Sequence, residues 1–85
     1  MKKICYNDNK NIISEQLKEL REKAGLSQSN LAAKLQTMNI NIDQQMISKI
    51  EKNKRQVTDY ELACMAKCLS VTPDVLLNFS KINFE

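Results

Sequence analysis

The sequence has no histidine and only one glycine, and both absences bear on catalysis. Histidine is the most frequent general acid or base of enzymes, and a phosphate-binding loop needs several glycines. No pair of carboxylates stands in a recognisable pocket-forming context. A helical domain of 85 residues also leaves little room for a cleft. We therefore do not expect an enzyme.

Glycine and proline occur once each, and tryptophan is absent. This scarcity, together with a hydrophobic fraction of 42%, favours a compact and mainly helical fold over a disordered or all-β chain. Aromatic residues make up only 5%, so the core must consist of isoleucine, leucine, valine, methionine and alanine. A chain of 85 residues can fill one such core, which predicts a single domain.

Long apolar segments are absent as well. No run of about eighteen apolar residues occurs, so no segment is expected to cross a membrane. The basic start of the chain lacks the apolar stretch that a secretory signal has behind it. We therefore expect a cytoplasmic protein.

The three cysteines are Cys5, Cys64 and Cys68, an odd number without the spacing of a disulfide framework. Such usage suits reduced thiols in a reducing compartment. Together they could offer three thiols to a metal, but structural zinc ordinarily has four ligands and histidine is missing. We predict no metal and no cofactor. A redox switch at these cysteines stays open as an alternative.

Apolar residues recur at helical spacing in the first half of the chain. The first stripe predicts a helix over residues 12–24, which Gly25 ends because only glycine adopts the left-handed conformation without strain. A second stripe follows Ser27, a residue typical of N-caps, and Asn39 can take the left-handed position that closes this helix. The two stripes consist of Ile13, Leu17, Leu20, Ala24, Leu31, Ala32, Leu35 and Met38.

Asp43 is the predicted N-cap of a third helix. Its apolar face would carry Ile47 and Ile50, which places Gln44 and Gln45 outside the packed face, in the first turn. The turn before Asp43 contains two more isoleucines, Ile40 and Ile42, which are expected to enter the core.

Two further helices complete the pattern. Thr58 and Glu61 have the spacing of a capping box and predict a fourth helix, with Leu62, Met65, Ala66 and Leu69 facing inward. Thr72 followed by Pro73 predicts the start of a short fifth helix that ends near residue 78. The expected fold is therefore one all-α domain over residues 11–78, with a flexible arm at residues 1–10 and a tail at residues 79–85.

Positive charge is concentrated after the third helix begins. Residues 49–55 contain one acid, Glu51, and four cations, which are Lys49, Lys52, Lys54 and Arg55. The whole chain has a net charge of +3. Such a run is ordinarily a solvated face. Its position beside the two glutamines favours a second interpretation, a surface for nucleic acid.

Three separated blocks carry a resemblance to a known family. They are “LKELREKAGLSQSNLAAKL”, “DQQMISKIEKNKR” and “LACMAKCLSVTPDVLL”, and in content and order they resemble the Cro/repressor-type, or XRE, helix-turn-helix family. The resemblance covers roughly residues 12–77. It implies a compact five-helix bundle of the phage-repressor DNA-binding domain type. It also implies a transcriptional regulator, more often a repressor, that binds double-stranded DNA sequence-specifically as a homodimer.

The resemblance assigns roles to individual residues. Gln44 and Gln45 fall where family members read base edges, and Lys49 falls one turn further along that face. A glutamine amide matches adenine N7 and N6 in a bidentate contact, which agrees with this role. Phosphate contacts are implied for Gln28, Asn53, Lys54 and Arg55, and Gln28 is also expected to brace the reading helix.

The family also pairs an arginine of the first helix with a glutamate that ends the reading helix, and Arg21 and Glu51 stand at these positions. Two unrelated surface charges would contribute only about 0–1 kcal/mol. We expect instead a partly buried bidentate pair that sets the angle of the reading helix.

Two departures from the family pattern matter for the structure. The chain between Leu35 and Ile47 is longer than in the shortest members, which predicts a second helix extended by a turn and a widened turn after it. Ser70 stands where many relatives have glycine, so a left-handed residue there would be less comfortable.

The dimer surface is predicted on the fifth helix and the tail, at Leu76, Phe79, Ile82 and Phe84. The alternative function is a protein-interaction module of the same fold, such as an antitoxin or a coactivator-like adaptor. A small-molecule effector is not expected, because a single small domain has little space for a ligand pocket.

Overall fold

Five α-helices lie within residues 9–78, the part of the chain that this computed structural model describes. They are α1 (Ser14–Lys23), α2 (Gln28–Thr37), α3 (Gln44–Glu51), α4 (Asp59–Cys68) and α5 (Pro73–Leu77). The predicted all-α class and number of helices are confirmed for these residues. The predictions for residues 1–8 of the arm and for the tail lie outside the described residues. Within residues 9–78, no helix has both the length and the apolar character needed to cross a membrane.

Side chains at the N-caps explain where three helices begin. The Asp43 carboxylate accepts a hydrogen bond from the Met46 N–H at 2.8 Å, and Thr58 and Glu61 form the predicted capping box. Ser27 also forms a capping box, because the Asn30 amide oxygen accepts the Ser27 N–H at 3.2 Å. The second box was not predicted, since its third residue is ordinarily glutamate or glutamine.

The first four helices end in the same way. Each is followed by a residue with positive φ, and the next residue donates its N–H to a carbonyl five residues back, which is the Schellman motif. Gly25 and Asn39 take the left-handed positions predicted for them, with φ of 75° and 63°. Asn53 and Ser70 do the same with φ of 61° and 59°, although neither is glycine.

The core is built from the predicted stripes. α3 packs against α1 and α2, while α4 packs against α2 and α5. The buried apolar side chains are Ile13, Leu17, Leu31, Ala32, Leu35, Ile40, Ile42, Ile47, Ile50, Met65, Ala66, Leu69 and Leu76. Ala24 was placed on the first stripe and is exposed instead, because α1 already ends at Lys23 and Ala24 is its C-cap.

The connection between α2 and α3 is anchored from inside. Ile40 and Ile42 are buried as predicted, and the Gln36 side chain donates to the Ile42 carbonyl at 3.1 Å. The longer turn therefore does not loosen α3. Its two isoleucines bury further apolar surface in the core and hold the start of α3 against the domain.

The prediction that Leu76 contributes to a dimer surface is wrong. Leu76 is 0% exposed in the core of the single chain, so it has no surface to offer a second subunit. The exposed apolar side chain of α5 is its neighbour Val75, at 44%. Phe79, Ile82 and Phe84 lie outside the described residues.

Ser70 allows a test of whether a residue other than glycine is strained at the positive φ that follows α4. A residue with a side chain is less stable than glycine at positive φ, so Ser70→Gly should raise the free energy of unfolding by about 0.5–1 kcal/mol. In a domain of this size that corresponds to about 2–8 °C in Tm, measured by circular dichroism.

The matched control is Ser29→Gly in the helical backbone of α2, which should lower Tm because glycine has a low helix propensity. If Ser70→Gly lowered Tm as well, the left-handed backbone at Ser70 would not be a source of strain.

Candidate nucleic-acid interface

The outer face of α3 is polar, and its inner face is buried. Gln44 and Gln45 are the first two residues of the helix and both are exposed, as predicted. Ile47 and Ile50 on the opposite side are fully buried in the core. The helix is thus held from behind while its first turn remains open to solvent.

A shallow cleft of about 320 Å³ runs along this face and into the loop that follows α3. Among residues 9–78, its lining includes three lysines and no acidic residue; the lining residues are Gln44, Gln45, Ser48, Lys49, Lys52 and Lys54. The structure therefore brings together four predicted site residues. Ser48 was not predicted to belong to the site, although its position three residues after Gln45 places it on the same helical face.

Arg21 and Glu51 form a bidentate ion pair between α1 and the end of α3. Arg21 Nε donates to Glu51 Oε2 at 2.6 Å and Nη2 donates to Oε1 at 3.1 Å. The two side chains are only 10% and 5% exposed. The hydrogen bond to Glu51 raises the pKa of Arg21 despite the opposing effect of burial, so the guanidinium stays charged. Arg21 Nη1 also donates to the Leu26 carbonyl at 2.8 Å.

Gln28 extends this pair towards the surface. Its Nε2 donates to Glu51 Oε1 at 3.0 Å, and its Oε1 accepts from Gln44 Nε2 at 2.9 Å. A carboxylate can only accept, so Glu51 determines which end of the Gln28 amide faces it. Gln28 in turn determines the orientation of the Gln44 amide. We call the hydrogen-bonded residues Arg21, Glu51, Gln28 and Gln44 the polar series.

Arg55 is occupied inside the protein. Its guanidinium makes two hydrogen bonds to the Glu61 carboxylate, at 3.0 and 3.1 Å, and the side chains are 27% and 8% exposed. Arg55 also donates to the Gln56 carbonyl at 3.0 Å. The structure does not place this predicted phosphate contact in the cleft.

Asn53 is likewise occupied. Its Oδ1 accepts the backbone N–H groups of Lys10 and Asn11 at 2.9 and 3.1 Å, and its Nδ2 donates to the Asn9 side chain. The last two residues of the predicted arm are therefore attached to the loop after α3. Asn53 lies outside the cleft lining, whereas Lys52 and Lys54 on either side of it are part of that lining.

The two cysteines of α4 do not line this cleft. Cys64 and Cys68 are free, half-buried thiols at the edge of the core, and Cys68 Sγ lies 3.6 Å from Met38 Sδ. Burial raises the pKa of the Cys68 thiol, which keeps it protonated and weakly reactive. Among residues 9–78, no three cysteine, aspartate or glutamate side chains are grouped so that they could hold a metal ion.

A comparison with known families decides the family. The model of the helix-turn-helix family matches residues 17–76, which is more than half of the chain. The chain belongs to the helix-turn-helix family. No curated protein matches it.

Two solved structures are similar to it in fold. One is the restriction-modification controller protein C.AhdI from Aeromonas hydrophila, with a TM-score of 0.67 and 28% identity over 75% of this chain and 89% of that chain. The other is the P22 c2 repressor, with a TM-score of 0.65 and 23% identity over 78% of this chain and 92% of that chain. The second likeness concerns the fold alone.

The resemblance to Cro/repressor-type proteins is thereby confirmed, together with the five-helix fold that it implies. This helix-turn-helix protein is a DNA-binding transcription regulator.

Removing only one partner of the Arg21–Glu51 pair should destabilise the protein. Arg21→Met leaves the Glu51 carboxylate buried without its cation, which should lower the free energy of unfolding by about 3–5 kcal/mol, measured by urea denaturation. The double variant Arg21→Met with Glu51→Leu should recover much of this loss, because both charges are then gone. Glu22→Ala is the control, since Glu22 is exposed and lies 4.0 Å from Arg21. A loss below about 1 kcal/mol for Arg21→Met would identify an ordinary surface pair.

The Arg55–Glu61 pair should make the free energy of unfolding depend on pH. Burial alone would raise the pKa of Glu61, but hydrogen bonds from Arg55 and from the Thr58 N–H outweigh it and hold the pKa below the usual 4.5. The folded state therefore binds the proton less well than the unfolded state. The stabilisation is present above pH 4.5 and disappears as the pH falls through the lower folded value.

Glu61→Gln keeps an oxygen for the cap but removes the charge, so its free energy of unfolding should change less between pH 6 and pH 3 than that of the parent protein. Unfolding in urea at each pH measures the difference. Glu15→Gln removes an exposed carboxylate of α1 and serves as the control. If the free energy of unfolding changed equally between the two pH values in Glu61→Gln and in Glu15→Gln, Glu61 would not be a source of the pH dependence.

Proposed function

We propose that the protein represses transcription by inserting α3 into the major groove of double-stranded DNA and reading a specific operator. The polar series carries this proposal, because it presents one amide in a defined orientation at the exposed start of α3. A solvated helix start would not need its first side chain oriented by a buried ion pair.

The orientation of Gln44 suits adenine. One N–H of Gln44 is used by Gln28, which leaves one N–H and the carbonyl oxygen for a base edge. These two groups match the N7 acceptor and the N6 donor of adenine, a contact worth about 1–3 kcal/mol of discrimination. Because Gln44 is already held, binding orders it at a lower cost in side-chain entropy.

Gln45 and Lys49 extend the reading face along α3. Both are exposed and both line the cleft with Gln44. The Gln45 amide can address a neighbouring base pair. The ammonium group of Lys49 suits the acceptors of guanine, O6 and N7.

Lys52 and Lys54 are the best placed phosphate contacts. Both are exposed, and both line the part of the cleft that lies beyond α3. Gln28 retains one N–H for a phosphate beside its bond to Glu51. We assign to Asn53 and Arg55 the task of shaping the loop, since their side chains are occupied within the protein.

The similar proteins support this proposal. C.AhdI is a controller protein of a restriction-modification system, and the P22 c2 repressor was crystallised with a synthetic operator. Both are regulators of the kind that the polar series and the basic cleft favour here.

We further propose that the protein acts as a homodimer. One module of this size makes few base contacts, and two half-sites about 34 Å apart multiply the discrimination. We assign Val75 on α5 to the dimer surface, because it is exposed beside the buried Leu76.

A protein-interaction module is the second candidate. An adaptor of this kind would use the same fold chiefly to bind a protein, so replacing Gln44 and Gln45 together by alanine would leave its function intact. An antitoxin would bind DNA as well, and a small toxin encoded beside the gene would identify it.

Selection of bound duplexes from a random pool, at two salt concentrations, tests the proposed function. Gln44→Ala should relax the preference at one base pair of each half-site, at a cost of about 1–3 kcal/mol per half-site in affinity for the preferred sequence. Lys54→Ala should weaken all sequences alike and reduce the slope of log K against log salt by about 0.9 per subunit, and therefore by about 1.8 for the homodimer.

Lys67→Ala removes an exposed lysine of α4 that does not line the cleft, and it should change neither property. If the parent protein enriched no sequence, the base-reading role of α3 would be wrong. If Gln44→Ala enriched the same sequence as the parent, the role of Gln44 would be wrong.

A further inference from the structure

The loop after α3 is held at both ends by one side chain from the beginning of the domain. Asn11 Nδ2 donates to the Ile50 carbonyl at 3.0 Å and to the Arg55 carbonyl at 2.9 Å. Ile50 belongs to the last turn of α3, and Arg55 lies where the loop turns towards α4. One amide nitrogen therefore joins the two ends of the segment that contains Lys52 and Lys54.

The loop also holds the segment that bears Asn11. Asn53 lies between the two lysines with its backbone in the left-handed region, and its Oδ1 accepts the N–H groups of Lys10 and Asn11. The Asn11 oxygen accepts the Ile13 N–H at 3.0 Å, just before α1. The two asparagines thus connect the start of the domain and the loop in both directions.

Asparagine is well suited to this position. Both amide hydrogens of Asn11 are used on backbone carbonyls, and its oxygen is used on a backbone N–H. Aspartate has no hydrogen to donate, and glutamine is longer by one methylene group. Asn11 also precedes residues 17–76, which match the helix-turn-helix family, so membership of the family does not assign it a role.

We propose that Asn11 is a positioning residue for DNA binding, which holds the loop after α3 in the conformation that presents Lys52 and Lys54 to phosphate groups. This inference rests on the proposed function. Lys52 and Lys54 are long, exposed side chains, so the backbone beneath them is what determines where their ammonium groups can reach. Asn11 acts on that backbone and does not itself line the cleft.

The salt dependence of DNA binding tests the proposal. Asn11→Ala should reduce the slope of log K against log salt by about 0.9 for each phosphate group that is no longer neutralised, and therefore by up to about 1.8 per subunit, or about 3.6 for the homodimer, when both lysines are displaced. The enriched sequence should stay the same, because the polar series that orients Gln44 does not include Asn11. Circular dichroism at the binding temperature establishes that the variant is folded.

A second variant reaches the same loop from its other side. Asn53→Gly tolerates the left-handed backbone but lacks the side chain that holds Lys10 and Asn11, so it should show the same change of slope. Gln16→Met is the matched control. The Gln16 amide donates to the Ile12 and Leu77 carbonyls and connects α1 to the end of α5, so its removal should lower Tm without changing the slope.

A double-mutant cycle separates positioning from a general loss of stability. In a protein that already carries Lys52→Ala and Lys54→Ala, Asn11→Ala should weaken DNA binding no further, because it acts through those two lysines. Additive effects, or an unchanged slope in Asn11→Ala and Asn53→Gly, would overturn the proposal while leaving the reading of bases by α3 in place. If the parent protein bound no duplex in a salt-dependent way, both the proposed function and this inference would be wrong.

Discussion

The Glu51 carboxylate is the group on which both the packing of α3 and the orientation of Gln44 depend. It is almost completely removed from solvent, so its charge must be compensated within the protein. Arg21 supplies the opposite charge from α1, and Gln28 supplies a further N–H from α2. Three helices therefore meet at one carboxylate, and the angle of α3 follows from the positions of its two donors.

The arginines and the lysines near α3 have different surroundings, and this difference suits them to different roles. Arg21 and Arg55 are both paired with glutamates, whereas the lysines of the cleft are exposed to solvent. The paired arginines stabilise the frame of the domain, and the exposed ammonium groups of Lys52 and Lys54 suit contacts with phosphate. Exposed lysines have little desolvation to undergo before they meet DNA, and they release counterions when they do.

Local sequence patterns predicted the helices well, and contacts between distant residues account for what was missed. Ser27, Asp43 and Thr58 indicate helix starts because each bonds to an N–H only three residues away. The burial of Gln16 and the bond between Asn11 and Arg55 follow from partners 61 and 44 residues away.

The site shows the same limit of local patterns. Both the basic run and the resemblance predict that Arg55 contacts phosphate, because neither shows which charges have a partner within the protein. Its partner, Glu61, had been recognised only as a member of the capping box, although one carboxylate serves both purposes. The resemblance also implies that Gln28 braces the reading helix, and Gln28 does meet Gln44 of that helix, which is 16 residues away in the chain.

The polar series has an exposed end at Gln44 and a buried carboxylate at Glu51, and substitutions at these two residues would have different consequences. If Gln44 reads a base as proposed, another residue at this exposed position would change the preferred sequence while Glu51 kept its bonds to Arg21 and Gln28. A change at Glu51 would instead affect folding and recognition together. Descendants of this protein could therefore acquire new target sequences by substitutions at the tip of α3, with the buried carboxylate inherited unaltered.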